Sequence, residues 1–305
     1  MPRTSIVMPC YNHAGFIAES VRAILAQTDP DLELIIVNDC SRDNSLSVAN
    51  ELAAADSRVR VIHHTYNQGA SRSRNDGLRA AAGHFIGFCD ADDIWEPRKL
   101  ATQIEFLNRH PEIAVVHCDA SIIDEAGKFT GKTFAQLYNP PIEASGQILP
   151  HLITRNFINI QTVLMRRGCL EQAGYFDGNI KWVEDWWYWV CVADKFRFGY
   201  LPEPLARYRV HSQSTNRVQG RGYCINRYKL FRRILRKVRT LNSGQRASLY
   251  YEMGSELALL GQRKASSACF RKAAATATLS FSNLRIAAKS LARLLFKKSP
   301  AGLQK

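Results

Sequence analysis

The chain has 305 residues, 41 Lys and Arg against 27 Asp and Glu, a formal net charge of +14, and 46% hydrophobic residues. That length accommodates one large α/β domain plus an appendage, while the absence of a long uninterrupted apolar span excludes a bilayer-crossing helix. The eight cysteines form no Cys-x-x-Cys pair and several lie in apolar runs, which points to a reduced, cytosolic compartment rather than a disulfide framework. The first strand is reached within four residues, so no signal peptide is expected.

In chain order, Ser5–Met8 reads as a strand ending in Pro9-Cys10-Tyr11-Asn12. A helix with Ile17, Val21, Ile24 and Leu25 on one face follows. Leu32–Val37 is a second strand, ending in Asn38-Asp39-Cys40-Ser41, with Ser41 or Asp43 placed to cap the next helix. Val59–His63 is a third strand and leads into Asn67-Gln68-Gly69. A helix over Ala70–Ala82 carries Arg72, Arg74 and Asn75. Alternating strands and helices imply right-handed crossovers and a parallel sheet, in which ligands bind at the carboxyl ends of the strands.

The segment His84–Asp93, HFIGFCDADD, is the most informative. An apolar run, Phe85 to Cys89, ends in three carboxylates, Asp90, Asp92 and Asp93. Acids this close repel and are costly to desolvate without a partner. A hard divalent cation is the simplest compensation; a solvated acidic turn before a helix starting near Pro97 is the alternative. Asp39 and the Asp90 cluster both follow strands, so one cleft can hold both.

These residues, taken together, resemble family 2 glycosyltransferases. The resemblance rests on Pro9-Cys10-Tyr11-Asn12, Val37-Asn38-Asp39-Cys40-Ser41, Asn67-Gln68-Gly69 with Ser73-Arg74-Asn75-Asp76-Gly77, and Asp90-Ala91-Asp92-Asp93. It covers residues 4 to 110 strongly and continues more weakly to about 216. Asn38 and Cys40 stand where the family more often has Asp and Gly, while Asp39 is retained. The resemblance implies a GT-A fold, a mostly parallel twisted sheet flanked by helices, and an inverting transfer of one sugar from a uridine or thymidine diphosphate donor. It implies a donor site of Pro9, Tyr11, Asn12, Asp39, Asn67, Arg74, Asp90 and Asp92, with Mn2+ or Mg2+ held by Asp92 and Asp90.

Further along, Ile113–Cys118 reads as a strand, residues 124–147 as loop, Ile160–Met165 as a strand and Arg167–Ala173 as a short helix. Lys181–Trp189 concentrates four tryptophans and a tyrosine. They suit either a packed helix or an acceptor site, for which Trp186 and Trp187 are the candidates. Glu184-Asp185 resembles the family's Glu-Asp motif, which implies Asp185 as the catalytic base with Glu184 as fallback. Displacement at an anomeric carbon needs a carboxylate to take the proton of the attacking hydroxyl; the other reading of this pair is a helix N-terminal cap. After a Pro-bounded turn, Pro202 to Pro204, the stretch Arg209-Val210-His211-Ser212 resembles the family's late Arg-x-His segment. That likeness adds His211 to the expected metal ligands. A processive synthase would carry a Gln-x-x-Arg-Trp motif and transmembrane helices; neither is present.

Residues 221–305 carry 19 Lys and Arg against 2 acids, a net of +17, while the first 220 residues carry a net of −3. A junction near Gly220 therefore separates a catalytic domain, 1–220, from a basic all-helical appendage, 221–305. Within the first, 1–115 is expected to bind the nucleotide sugar and 116–220 the acceptor. The appendage reads as helices Tyr223–Arg239, Ser243–Leu260, Arg263–Ala277 and Asn283–Phe296. The last is basic and amphipathic, a pattern that fits either an anionic membrane surface or a packed appendage. The expected partners are thus a nucleoside diphosphate sugar, a glycan or lipid-linked acceptor and an anionic membrane surface, at the cytoplasmic face. Nucleic acid is not expected, because the tail lacks zinc-finger, RNA-recognition and helix-turn-helix signatures. A non-catalytic sugar-nucleotide-binding scaffold is the competing class. A nucleotidyltransferase is disfavoured because strand one does not end in a Gly-rich phosphate loop.

Overall fold

The computed structural model describes residues 2–138, 140, 145–212, 220–277 and 289. The chain forms two compact units, one of Met1–Ile148, Phe157–Asn179 and Cys191–Ser212, the other of Leu149–Asn156, Ile180–Val190 and Gln213–Lys305.

The first unit is built on a nine-stranded sheet: β1 (Thr4–Cys10), β2 (Leu32–Asn38), β3 (Val59–His63), β4 (Phe85–Phe88), β5 (Ile94–Trp95), β6 (Ile113–Ile123), β7 (Phe129–Thr133), β8 (Leu164–Arg166) and β9 (Arg197–Arg209). The spatial order is β3-β2-β1-β4-β8-β6-β9-β5, with β7 paired to β6. The long ladders, β1 with β2 and β4, β2 with β3, and β6 with β9, are parallel. Four short antiparallel ladders complete the sheet. The expected mostly parallel α/β architecture is what is found.

Every residue of β2 is buried, as a strand covered on both faces requires. On one face, Ile6 and Met8 join Leu34 and Ile36 in a core that takes in Ile17, Val21 and Ile24 of helix α1 (Ile17–Leu25). Helix α2 spans Ser45–Ala55 and α3 spans Ala70–Ala80. A Cβ on Gly77 of α3 would collide with Val7 Cγ1 of β1, so that glycine is what lets the helix lie against the sheet. Helix α4 (Lys99–Arg109) buries a cation. Lys99 Nζ donates to Gln103 Oε1 at 2.8 Å and lies 3.7 Å from the Trp95 ring centroid. Burial pushes this ammonium down to about 8. Cys10, Cys89, Cys118, Cys169 and Cys224 are buried, and desolvation raises their thiols.

Three local expectations are corrected. Residues 124–147 are not all loop: β7 hairpins back onto β6 around Gly127 (φ 84°), and α5 (Phe134–Tyr138) follows. Strand β7 is solvent-exposed and lacks the alternation that marks a half-buried strand. Ile160–Met165 is not one strand, because Ile160–Thr162 form a 3-10 turn capped by the Asn159 side chain before β8 begins. Pro202 to Pro204 is not a turn: β9 runs through it, and Pro204 falls at a register irregularity opposite Asp119. A bulge needs no ladder N–H, which is where a strand tolerates proline. The short helix following β8 is α7 (Gly168–Ala173), with α6 (Leu149–Leu152) before it in the chain.

The second unit is helical. It holds α6, most of α8 (Glu184–Ala193), α9 (Arg221–Lys237), α10 (Ser243–Leu259) and α11 (Arg263–Thr276). Asn242 and Gln245 form a reciprocal cap on α10, satisfying two otherwise unpaired N–H groups. Gly254 of α10 admits the Phe270 ring of α11, and Ser266 Oγ donates to the Gly254 carbonyl at 2.8 Å. Arg227 of α9 pairs with Glu256 of α10 at 3.0 Å. All of the expected helix Asn283–Phe296 except Lys289 lies outside the described residues. Among the described residues no helix is long and apolar enough to cross a membrane.

Candidate donor and metal site

The carboxyl ends of β1 and β2 are tied together by Asp39 N–H donating to the Cys10 carbonyl. The Asp39 carboxylate then organises the loop after β3. Its Oδ1 accepts from Gln68 N–H and its Oδ2 from Gly69 N–H, both at 2.7 Å. Asn67 Nδ2 donates to the Asp39 carbonyl. Gly69 sits at φ 86°, a conformation that favours glycine, and starts α3. His64, which the sequence reading did not single out, spans two carboxylates. Its Nδ1 is 2.8 Å from Asp39 Oδ1 and its Nε2 is 3.0 Å from Asp76 Oδ2. Asp39 is therefore a buried bracket as well as a candidate base reader.

Residues 10–14 are fixed against the start of α2. Asn12 and Cys40 both adopt φ 58°, so Cys40 occupies a left-handed position where glycine would be unstrained, at a cost of about 1 kcal/mol. Asn38 keeps the turn closed in place of an aspartate, its Oδ1 accepting from Ser41 N–H and its Nδ2 donating to Ser41 Oγ. Asn12 N–H donates to Ser41 Oγ, Asn12 Oδ1 accepts from Arg42 N–H, His13 N–H donates to Ser45 Oγ and Ala14 N–H to Asp43 Oδ2. Pro9 is the penultimate residue of β1, and Tyr11 just beyond it is exposed.

The three aspartates after β4 have separate environments. Asp90 Oδ1 accepts from Arg74 Nη2 at 2.9 Å, and the Arg74 guanidinium lies over Phe176. Asp93 is buried and accepts from Arg209 N–H at 2.8 Å. Burial first, then Asp92 and Asp90, push its carboxyl well above the usual carboxylate range. It belongs to the framework. Asp92 Oδ2 lies 2.9 Å from His211 Nε2, while its backbone carbonyl accepts from Arg209 Nε. Arg209 also reaches Glu19 and the Glu125 carbonyl, holding β9 against the Asp92 turn.

A further residue, His13, stands beside this pair. One ligand atom from each of His13, Asp92 and His211 lies within 4.8 Å of the others. Asp90, expected among the metal ligands, is not in this group; it is engaged by Arg74. The His13 Nδ1 atom is buried without a hydrogen-bond partner. Two imidazoles and a carboxylate form a donor set that fits a divalent cation. The signal for His13 was its place next to the Tyr11-Asn12 motif, which reads as ordinary loop until folded.

The remaining candidates lie in the helical unit. Glu184 and Asp185 start α8. Asp185 Oδ1 accepts from Trp186 N–H and its Oδ2 from Asn156 Nδ2 at 3.1 Å, so two N–H donors orient the carboxylate. Trp186 is buried, its indole N–H donating to the Leu152 carbonyl and its ring against Phe231 and Arg227. A ring so enclosed is a packing residue. Trp187 carries the Arg233 guanidinium over its ring.

A parallel sheet, an Asp39 corner and an acidic turn paired with His211 gather these side chains on the side of the sheet where ligands bind in such folds. The family model described as Glycosyl transferase family 2 matches residues 5–170. The chain belongs to that family. TuaG of Bacillus subtilis, provisionally named a teichuronic acid biosynthesis glycosyltransferase, is 29% identical over 220 residues, covering 70% of this chain and 81% of TuaG. The chain spans about a third of the length (34%) of two Rickettsia relatives that it also matches. Staphylococcus aureus TarS 1-349 in complex with UDP-GlcNAc superposes with a TM-score of 0.70 at 16% identity, over 97% of this chain and 92% of that one. The mannosyltransferase PcManGT of Pyrobaculum calidifontis, in complex with GDP-Man and Mn2+, superposes with a TM-score of 0.62 at 20% identity, over 96% and 81%. These likenesses establish the GT-A fold.

Proposed function

We propose that this chain is a metal-dependent, inverting glycosyltransferase that moves one sugar from a uridine or thymidine diphosphate donor to a hydroxyl of a glycan or lipid-linked acceptor. The observation that carries the reading is the convergence of Arg74–Asp90 and Asp92–His211 beyond β4, beside the Asp39 corner of β2. Sheet topology makes the carboxyl ends of these strands the ligand side. Asp39, Asn67, Tyr11, Asn12 and Pro9 are assigned to the nucleoside. Arg74, released from Asp90, neutralises diphosphate charge with its fixed fork of donors. Asp92 and His211 would hold a divalent ion, which when bound offsets negative charge developing on the leaving diphosphate.

Asp185 is assigned as the base. Its carboxylate takes the proton of the acceptor hydroxyl as that oxygen attacks the anomeric carbon, which develops positive character. The Asn156 and Trp186 N–H donors hold the carboxylate in place. Glu184 is the fallback, and Trp187 the aromatic retained for the acceptor. Residues 1–220 are assigned to catalysis, with donor recognition before residue 116 and acceptor recognition after it. The basic segment 221–305 is assigned to an anionic lipid surface at the cytoplasmic face, where each basic residue near the surface contributes about 1 kcal/mol.

A thermal-shift screen of nucleotide sugars with and without Mn2+ tests the donor and metal assignments, since a ligand that binds the native state raises the melting temperature. The expected result is a metal-dependent shift with one donor class. No shift with any nucleotide sugar would favour a scaffold that does not bind donors. Co-sedimentation with anionic vesicles at low salt tests the lipid assignment, and protein left wholly in the supernatant would overturn it.

A further inference from the structure

We infer that His13 is a third protein ligand of the metal at Asp92 and His211, and that it biases this chain toward divalent ions that accept imidazole nitrogen more readily than Mg2+ does, Mn2+ modestly and Co2+ or Zn2+ more strongly. The inference rests on the proposed metal site and adds a residue and a selectivity to it.

Three observations support it. The first is convergence, since one ligand atom from each of His13, Asp92 and His211 falls within 4.8 Å of the others. Two donors about 2.1 Å from one ion stand roughly 3 Å apart when adjacent and about 4.2 Å apart when opposite. The 2.9 Å between His211 Nε2 and Asp92 Oδ2 matches an adjacent pair, and a His13 nitrogen lies within 4.8 Å of a ligand atom of each.

The second is the state of His13. Its Nδ1 is buried with no hydrogen-bond partner, and a buried polar atom left so is destabilising unless something binds it. The ring lies edge-on to His211, centroids 6.1 Å apart. The third is rigidity. The backbone of residues 12–14 donates to Ser41, Ser45 and Asp43 at and just before the start of α2, the Asn12 side chain accepts from Arg42 N–H, and the His13 carbonyl accepts from Phe16 and Ile17 N–H at the start of α1. A ligand on so fixed a loop loses little entropy on binding.

Selectivity follows from the donors. Mg2+ demands oxygen ligands and keeps several waters, whereas affinity for imidazole nitrogen rises along the first-row divalent ions from Mn2+ through Co2+ toward the later ones. Two imidazoles on one ion penalise Mg2+ twice.

The test is Mn2+ alone added to the full chain, read by electron paramagnetic resonance for bound ion and by electron spin-echo modulation for directly bound 14N. The expected result is two imidazole nitrogens in the wild type, one in His13→Ala and one in His211→Ala. The Mn2+-over-Mg2+ preference should fall by at least about tenfold in His13→Ala, the scale at which ligand-shell changes act. His13→Asp should move it toward Mg2+ further still. One nitrogen in the wild type, unchanged by His13→Ala, overturns the inference and leaves the Asp92–His211 site intact. No bound Mn2+ in the wild type overturns the metal site itself. The wild-type spectrum decides the matter even if a variant fails to fold.

Discussion

His211 Nε2 lies 2.9 Å from the Asp92 Oδ2 atom, across a sequence separation of 119 residues. The juxtaposition depends on β9, because Arg209, two residues before His211, bonds through its backbone to Asp93 and through its guanidinium to the Asp92 carbonyl. The acidic turn and the histidine are thus locked in register by Arg209 contacts that do not use the Asp92 side chain.

For that reason Asp92→Asn should keep the fold and lose the chemistry. Metal-dependent donor binding and sugar transfer should both disappear, with the melting temperature of the free protein little changed. Full transfer by the variant, or undiminished transfer by wild type in chelator, would remove the metal from the mechanism.

Asp39→Ala should do two things at once. It strips acceptors from Gln68 and Gly69 N–H and a partner from His64, so stability should fall by at least about 3 kcal/mol, at about 1–3 kcal/mol for each of the three orphaned groups. Nucleoside affinity should fall as well. Urea unfolding and nucleoside titration on one sample separate the effects, and unchanged affinity in the folded fraction would place base recognition elsewhere.

Asp185→Asn should lower kcat by about 10²–10⁴, the range for loss of a positioned base, with donor affinity nearly intact, since a base acts in the transition state. Stopped or slow transfer with normal donor titration is the expected pattern. Lost donor binding would move Asp185 into donor recognition.

Lys99 makes stability depend on alkaline pH. Its ammonium is held at about 8 in the folded protein against 10.5 when exposed. Between those values the unfolded chain binds more protons than the native one, so stability rises with pH there, by on the order of 3 kcal/mol in all. Below about pH 8 both states carry the proton and the burial cost is fully present. Urea midpoints of wild type should rise from pH 8 to 10 relative to Lys99→Met, which lacks the group; parallel profiles would show that Lys99 stays charged through the window.

Much of the fold was legible because burial leaves a periodic trace. Strands β1 to β4 and helices α1 to α4 carry apolar runs or one-sided faces, and the motif after each strand marks a turn. Strand β7 left no such trace because it is exposed, and β5 is two residues long and defined only by its partner β9. Pro202 and Pro204 misled because proline reads as a turn unless a bulge opposite relieves its missing N–H.

The sequence by itself determined which residue types the candidate site draws on: Asp39, Asp90 and Asp92 just after strands, Arg74 in the helix after β3, and His211 through the likeness of its segment to the family's late Arg-x-His stretch. Only the tertiary structure decided how they divide. Asp93 went to the framework, Asp90 to Arg74, Asp39 to the Gln68–Gly69 loop, Trp186 to helix packing, and His13 to the side of Asp92 and His211. Carboxylates one or two residues apart are equivalent on paper. They become different when the fold sets which one is desolvated and which donors face it, and those donors come from segments far away in the chain.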